Sequence, residues 1–350
     1  MTVGSCRWLS MAAGRLVTRL IYLTAFALLA TSIMAQEQAG SPELTEEASK
    51  AIDDGLTYLL KTQGKDGSWS SGKFQMASTS LGLMAFMVKG EFPGYGPNAE
   101  ALDRAKNWLL KQAKSVSDGY LGKSMYEHGL ATLALSEMWG MTKGENDDED
   151  IQKALEAAVA VILRSQNVGG GWRYQPSPDA GQDTSVTVMV FIGLASARQA
   201  GIMVPDEAIK RLVSYLEGAQ DQGSGGFSYA PTGKGVSIAC SGGGLYAAQL
   251  CGERDSQMVK AAINYVSNLP DGTFASTGHY YYTHYYAIQS MVQSGDEYYA
   301  EWYPKIRDAL IDKQSKDGAW NGAAGGPVQG TAMSILILGT PHRYIPVYQR

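Results

Sequence analysis

Two kinds of apolar segment alternate along the chain. Segments of the first kind carry an apolar stripe at helical spacing opposite a polar face, and they lie near residues 43–62, 98–113, 147–166, 206–219, 255–267 and 296–314. Segments of the second kind are apolar on nearly every face and rich in Ala, Gly, Ser and Met; examples are Ser80–Val88, Gly129–Leu135, Val186–Ala197, Gly243–Leu250 and Thr331–Leu338. A helix that is apolar all round must be buried all round. The alternation therefore predicts two concentric layers of helices, with the striped helices outside.

The turns between the two kinds of segment share one motif. Gln-x-x-x-Gly-x-Trp occurs at Gln63–Trp69, Gln166–Trp172 and Gln314–Trp320, and weaker copies occur at Gly119-Tyr120, Gly225-Gly226-Phe227 and Gly272-Thr273-Phe274. The turn glycines thus recur every 46–55 residues, which marks a repeat architecture. We expect the glycine to end each outer helix with a left-handed residue, the aromatic ring to pack between hairpins, and the glutamine to bond exposed backbone.

Six helical hairpins predict an all-α fold, an α6/α6 toroid formed by residues 36–350 as a single domain. An open solenoid is the alternative, but it would need polar capping repeats at its ends. The last inner helix, Thr331–Leu338, is as apolar as the middle ones, which favours closure of the ring. The repeat also explains the composition, because many of the 41 glycines fall in the six turns.

Residues 1–35 have the pattern of a secretory signal peptide. They contain three arginines and no acid, and an apolar run from Leu20 ends near Ala35, where cleavage is expected. A retained membrane anchor is the alternative, although the run is short for a span of about 20 residues. We therefore expect a secreted, periplasmic or cell-envelope protein with no membrane span after cleavage.

Charge and cysteine content limit the partners of the mature chain. Removing residues 1–35 changes the net charge from −5 to −8 and leaves no long basic cluster, so we expect no nucleic-acid partner. Cys240 and Cys251 would lie about 16 Å apart on one helix, at 1.5 Å rise per residue, whereas a disulfide needs Cα atoms within about 7 Å. Both thiols are predicted to be free and buried.

The Gln-x-x-x-Gly-x-Trp copies resemble the QW repeats of squalene-hopene cyclases. Over about residues 43–350, the chain is similar to the prenyltransferase/squalene oxidase repeat family, and the similarity is greatest to secreted bacterial members without an established reaction. Segments that carry the resemblance are Met125–His128, Gly170–Tyr174, Gln182–Ser185, Tyr280–Tyr286, Thr331–Met333 and Tyr344–Arg350. The resemblance implies the α/α toroid that this family shares with protein prenyltransferase β subunits.

The catalytic motifs of the known family enzymes do not transfer to this chain. Squalene-hopene cyclases protonate an alkene with an Asp-x-Asp-Asp cluster, and the acidic run Asp147–Asp150 begins an outer helix instead. Prenyltransferase β subunits hold zinc with an Asp and a Cys two residues later, but here Asp183 is followed by Ser185. The family's His-Thr-Cys-Tyr reads Tyr282–Tyr285 with His284 in third place. We therefore expect no metal and no cofactor.

The toroid geometry predicts where a site should lie. The connections 64–75, 167–183 and 220–236 are long and gather at one end, where the inner helices begin and their positive dipole ends favour an anionic group. The candidates at this mouth are, for acid–base catalysis, Asp183, Glu127, His128 and His284, and, for ligand binding, Arg173, Tyr174, Thr184, His279, Tyr280, Tyr281 and Tyr282. Helix capping by Ser78, Ser124, Asp183 and Ser237, and structural hydrogen bonding by His128, are the alternative interpretations.

The sequence is compatible with three functions. The first is an envelope binding or scaffold protein whose ligand is a small molecule such as an isoprenoid lipid, a glycan or a peptide. The second is an enzyme, a lyase or hydrolase, with acid–base residues at the mouth. The third is a terpenoid cyclase or prenyltransferase, against which export argues. An enzyme should have a deep pocket with Asp183 or His284 exposed; a scaffold should pair those groups with backbone.

Overall fold

The computed structural model describes residues 44–70, 74–144, 146–231, 233 and 235–348. The predicted signal peptide, residues 1–35, lies outside the described residues. From Leu44 onward the chain belongs to one compact unit. No helix among the described residues combines the length and the apolar character that crossing a membrane requires.

Twelve long helices follow one another over the described residues, outer and inner in turn. The outer helices are α1 (Glu46–Thr62), α3 (Ala99–Ser115), α5 (Asp147–Ser165), α7 (Asp206–Ala219), α9 (Gln257–Ser267) and α11 (Asp296–Lys313). The inner helices are α2 (Gln75–Met87), α4 (Met125–Met138), α6 (Thr184–Gln199), α8 (Ile238–Leu250), α10 (Tyr280–Ser294) and α12 (Gly326–Leu338). A short helix, Gly272–Ala275, precedes α10, and 3-10 turns occur at Pro178–Ala180, Thr340–His342 and Pro346–Tyr348.

Burial separates the two layers as the hydrophobic pattern predicts. In α2 every residue from Met76 to Met87 is buried, whereas α1 buries one stripe that includes Ile52, Leu56 and Leu59. The inner helices begin two to five residues before the predicted starts, because their first turns contain buried polar residues such as Thr79 that break the apolar pattern. Ser78 accordingly lies inside α2, not at its N-cap as expected.

The inner helices form a closed ring. Each one packs against the next, and α12 packs against both α2 and α1, while α11 packs against α1. The last hairpin therefore contacts the first, which an open solenoid would not allow. The predicted all-α toroid is confirmed.

Glutamines join neighbouring hairpins at four of the turns. Each outer helix before such a turn ends at a glutamine in extended conformation, and the side-chain Nε2 donates to two backbone carbonyls at 2.8–3.0 Å. One carbonyl belongs to the turn glycine and the other to the next outer helix; the sets are Gln63 with Gly67 and Ala101, Gln166 with Gly170 and Ala208, Gln220 with Gly225 and Met258, and Gln314 with Gly318 and Ala51. The Gln314 bonds close the ring from the last hairpin to the first.

The turn glycines do not end the outer helices as predicted, but lie in the turns that follow them. Gly170 has a left-handed φ of 94°, but it lies in the turn, after the helix has already ended at Gln166. A Cβ at Gly170 would lie 1.9 Å from the Arg211 carbonyl oxygen, so the glycine lets the turn contact the next outer helix. Gly272 departs from the pattern because it begins a short helix.

Truncation of one ring-closing glutamine should measure its contribution. We expect Gln314→Ala to lower the free energy of unfolding by about 1–2 kcal/mol, because two carbonyl acceptors lose their shared donor. Urea denaturation checks this, with Gln152→Ala, on the exposed face of α5, as the matched control. An equal effect of the two substitutions would contradict the bridging role.

The C-terminal segment covers the end of the ring away from the long turns. Ile345 and Val347 are fully buried, and the Tyr246 hydroxyl donates to the Val347 carbonyl at 2.6 Å. Cys240 and Cys251 are both free thiols, as predicted; Cys251 is only partly buried because it caps the C-terminal end of α8.

Candidate functional site: the mouth cavity

A cavity of about 590 Å³ lies where the inner helices begin. Every inner helix contributes to its wall, with Ala77, Tyr126, Ser185, Cys240, Tyr281 and Met333 coming from α2, α4, α6, α8, α10 and α12 respectively. This is the end of the toroid that the long turns predict for a site. The volume is that of a pocket for a small ligand.

Tyrosine is the most frequent residue type in the cavity wall. Six of them line it: Tyr126, Tyr174, Tyr229, Tyr280, Tyr281 and Tyr282. The three on α10 are anchored, because their hydroxyls donate to the backbone carbonyls of Phe274, Asn321 and Ser185 respectively. Burial raises the pKa of Tyr126 to about 12 and raises that of Tyr282 well above its ordinary value, so both phenols stay neutral. The wall therefore presents fixed, uncharged rings.

Glu127 is the one predicted catalytic residue whose side chain lines the cavity. It lies in the first turn of α4, is 3% exposed, and its Oε2 accepts from the Lys123 backbone N–H at 2.8 Å. It also borders a smaller cavity of about 240 Å³ beside Tyr120. Its charge offsets the positive end of α4.

Asp183 lies immediately behind the wall and caps α6. Its Oδ1 accepts from the Val186 backbone N–H at 3.0 Å and from the Ser185 hydroxyl at 2.7 Å. Its Oδ2 is buried and has no hydrogen-bond partner; the nearest cation is the Arg173 Nε, 3.9 Å away. Asp183 therefore caps α6 through Oδ1, while its Oδ2 lies near Arg173 without a hydrogen bond to it.

His128 and His284 do not lie on the cavity wall, which corrects the expectation that they line the mouth. The Leu121 N–H donates to Nδ1 of His128 at 3.0 Å, and Nε2 donates to the Ala158 carbonyl at 3.0 Å. His284 donates from Nε2 to the Thr273 carbonyl at 3.1 Å. Burial lowers the pKa of each ring to about 4. Both are neutral rings hydrogen-bonded to backbone groups of the preceding turn or of a helix beside it.

The repeats explain why histidines occur at these two positions. In four turns a hydroxyl on the following inner helix accepts from the backbone N–H of the aromatic residue; the pairs are Thr79–Trp69, Thr187–Trp172, Ser241–Phe227 and Thr331–Trp320. His128 accepts from Leu121 in the same way, and His284 follows Phe274 by ten residues, as Thr79 follows Trp69. Aligning the six repeats with one another would have revealed this structural position.

The predicted ligand-binding residues divide into two groups. His279, Tyr280, Tyr281, Tyr282 and Tyr174 line the cavity. Thr184 does not, because it is fully buried and its hydroxyl bonds the Ser228 carbonyl at 2.7 Å. Arg173 is half exposed beside Asp183 and outside the lining. Six further residues that the sequence patterns do not single out also line the cavity: Phe74, Tyr126, Tyr229, Cys240, Gln329 and Met333.

The ends of the inner helices differ around the mouth. Side chains of Ser124, Asp183 and Ser237 cap α4, α6 and α8, which are neighbours in the ring. The other three, α2, α10 and α12, have no side-chain cap. His279, the residue before α10, has a left-handed φ of 53°, which is unusual for a residue other than glycine.

Solved structures with similar folds are enzymes of two unrelated chemistries. The type II terpene cyclase MstE from Scytonema has a TM-score of 0.59 at 16% identity, covering 87% of this chain and 100% of the cyclase. A variant of that cyclase is bound to its substrate, geranylgeranyl dihydroxybenzoate, with a TM-score of 0.57. An inactive variant of the α-1,6-mannanase of Salegentibacter sp. HEL1_6, in complex with α-1,6-mannotriose, has a TM-score of 0.61 at 10% identity, covering 85% and 99% of the two chains.

These similarities define the class of fold, an α/α toroid, and at such low identity they establish nothing further. No family model matches the chain, and no curated protein matches it. Evidence on function therefore comes from the cavity itself.

Proposed function

We propose that this protein binds a neutral glycan in the mouth cavity. The observation that carries the proposal is the wall of six tyrosines, three of them anchored through their hydroxyls. Rings fixed in this way offer flat carbon surfaces on which the apolar face of a sugar ring can pack without a large entropic cost. We infer membership of the QW repeat family and export to the envelope as part of the same proposal; export would bring the protein to extracellular glycans.

Polar groups on the wall favour a glycan over an isoprenoid. The side chains of Ser124, Ser185, Ser237, Gln329, Glu127 and His279 all line the cavity among the aromatic rings. Such a mixture suits a ligand that has hydroxyls as well as apolar faces, since the serine hydroxyls and the Gln329 amide keep further hydrogen-bonding capacity that a hydrocarbon could not use. The carboxylate of Glu127 would repel a diphosphate or another anion. The proposed ligand is therefore neutral, in place of the anionic group expected from the helix dipoles. The mannanase neighbour binds a mannotriose.

An enzyme with acid–base residues at the mouth is the second candidate. Glu127 supports it, as a buried carboxylate on the cavity wall. Hydrolysis of a glycosidic bond commonly uses two carboxyl groups that flank the bond. The second candidate carboxylate, Asp183, lies behind the wall and its Oδ1 is used to cap α6. Binding without hydrolysis is therefore the better supported function.

Titration calorimetry with defined trisaccharides tests the proposal. We expect mannotriose, cellotriose or chitotriose to bind, and Tyr229→Ala to weaken the binding about tenfold through loss of a stacked ring. Tyr95→Ala is the matched control, because Tyr95 has a similar exposed fraction and does not line the cavity. Binding of geranylgeraniol with no response to any sugar would overturn the proposal. Release of shorter sugars from the bound trisaccharide would favour the enzyme.

A further inference from the structure

Asp183 has a buried carboxylate oxygen that the fold does not use. Its Oδ2 is inaccessible and without a hydrogen-bond partner, although an unpaired buried acceptor is costly. Capping of α6 does not explain it, because the cap uses Oδ1 alone. Serines perform the same capping task at α4 and α8 through Ser124 and Ser237. Helix capping alone therefore does not account for a carboxylate at this position.

The carboxylate is close to one side of the mouth cavity. Ser185, which donates its hydroxyl to Oδ1, lines the cavity between α6 and α8. Burial raises the pKa of the lining residues Tyr229 and Cys240, and the Asp183 charge raises both further. A contact of the Tyr229 hydroxyl with the Asp183 carboxylate adds to the rise at Tyr229, so this phenol lies beside the carboxylate. Burial likewise raises the pKa of Tyr282, with Asp183 again contributing. The electrostatic effect of the Asp183 carboxylate thus extends to three residues that line this side of the cavity.

Three side chains near Asp183 and this side of the mouth are partly exposed to solvent. Arg173 is 48% exposed, and its Nε at 3.9 Å is too far for a hydrogen bond. Tyr174 and Tyr229, which line the cavity on this side, are each 44% exposed. A ligand that shifts one of these side chains would bring its own polar group to the carboxylate.

We propose that Asp183 is a hydroxyl-recognition subsite, at which a sugar hydroxyl donates to Oδ2 while the sugar ring packs against Tyr174 or Tyr229. An ionised carboxylate with a free lone pair accepts a hydrogen bond from a donor, and such charge-assisted bonds are stronger than neutral ones. The inference rests on the proposed glycan binding and assigns part of its specificity to one residue. Arg173, displaced from Oδ2, remains beside the carboxylate.

The decisive variant is Asp183→Asn. Asparagine keeps an Oδ1 acceptor for the helix cap but replaces the Oδ2 acceptor with an NH₂ donor. Calorimetry with the trisaccharide that binds the unmodified protein should show a 10- to 100-fold loss of affinity, with a thermal midpoint close to that of the parent. Ser256→Asn is the matched control, since Ser256 caps the outer helix α9 and is outside the cavity lining. Asp183→Ser, which copies the caps of α4 and α8, provides a second variant should the asparagine prevent folding.

A chemically modified ligand separates hydroxyl recognition from stacking. The permethylated trisaccharide keeps its ring faces but has no hydroxyl to donate, so it should bind the parent and Asp183→Asn equally weakly. Equal affinities of the parent and both Asp183 variants for the unmodified sugar would overturn the subsite and leave the proposed function intact. Absence of binding to any trisaccharide by the parent protein would overturn both.

Discussion

Gly318→Ala is expected to lower the free energy of unfolding by about 2–5 kcal/mol. Gly318 has a φ of 88°, and a left-handed backbone costs a residue with a Cβ about 1–2 kcal/mol. The new Cβ would also lie 2.3 Å from the carbonyl oxygen of Asp54 on α1, which cannot move without shifting the first outer helix. Relief of such a clash costs about 1–3 kcal/mol more. The substitution therefore strains the contact that closes the toroid.

Gly322→Ala separates the contribution of the left-handed backbone from that of the steric clash. Gly322 has a similar φ of 90°, but no heavy atom lies within 4 Å of a Cβ built there. It should lose only the backbone contribution, about 1–2 kcal/mol. Urea denaturation of the parent and the two variants gives the difference, which reports the contact between the last turn and the first helix. Equal losses for Gly318→Ala and Gly322→Ala would contradict ring closure at this point.

The layers of the fold were predictable because hydrophobic periodicity depends on burial alone. The outer helix α5 spans Asp147–Ser165, against a predicted 147–166. The inner helix α2 begins at Gln75, against a predicted Ser80, because Thr79 is buried for a bond to Trp69 and not for its apolar character. Hydropathy cannot recognise such a residue as part of a buried helix.

The site was predictable only in part, because a sequence gives residue types and not their directions. Tyr280 and His284 are four residues apart on α10, yet only Tyr280 lines the cavity, while His284 turns toward the Thr273 carbonyl. Tyr126 and Tyr229 belong to other hairpins and reach the same wall through closure of the ring. Contacts between hairpins depend on the assembled toroid, so no local sequence pattern predicts them.

Glu137→Gln is expected to change the pH dependence of stability. Glu137 is buried at the end of α4, opposite the mouth, and its Oε1 accepts from the Ser196 hydroxyl at 2.5 Å. Burial raises its pKa from 4.5 to about 7, against opposing contributions from the Ser196 hydroxyl and the Val347 backbone. Between pH 4.5 and about 7, Glu137 is therefore protonated in the folded protein and ionised in the unfolded chain. Stability from this group is fully present below pH 4.5 and is lost as the pH rises through 7, by about 3 kcal/mol in total.

The difference between parent and variant isolates Glu137 from the other buried groups. His128 and His284 have pKa values lowered to about 4, so they act in the opposite direction and stabilise the folded state as the pH rises from 4 to 6.5. Their effect is common to both proteins and cancels when the two free energies of unfolding are subtracted. Relative to the parent, Glu137→Gln should gain about 3 kcal/mol between pH 4.5 and pH 8. Glu217→Gln, exposed on α7, should show no such trend, and a flat difference for Glu137→Gln would mean that the C-terminal segment leaves this carboxylate accessible to water.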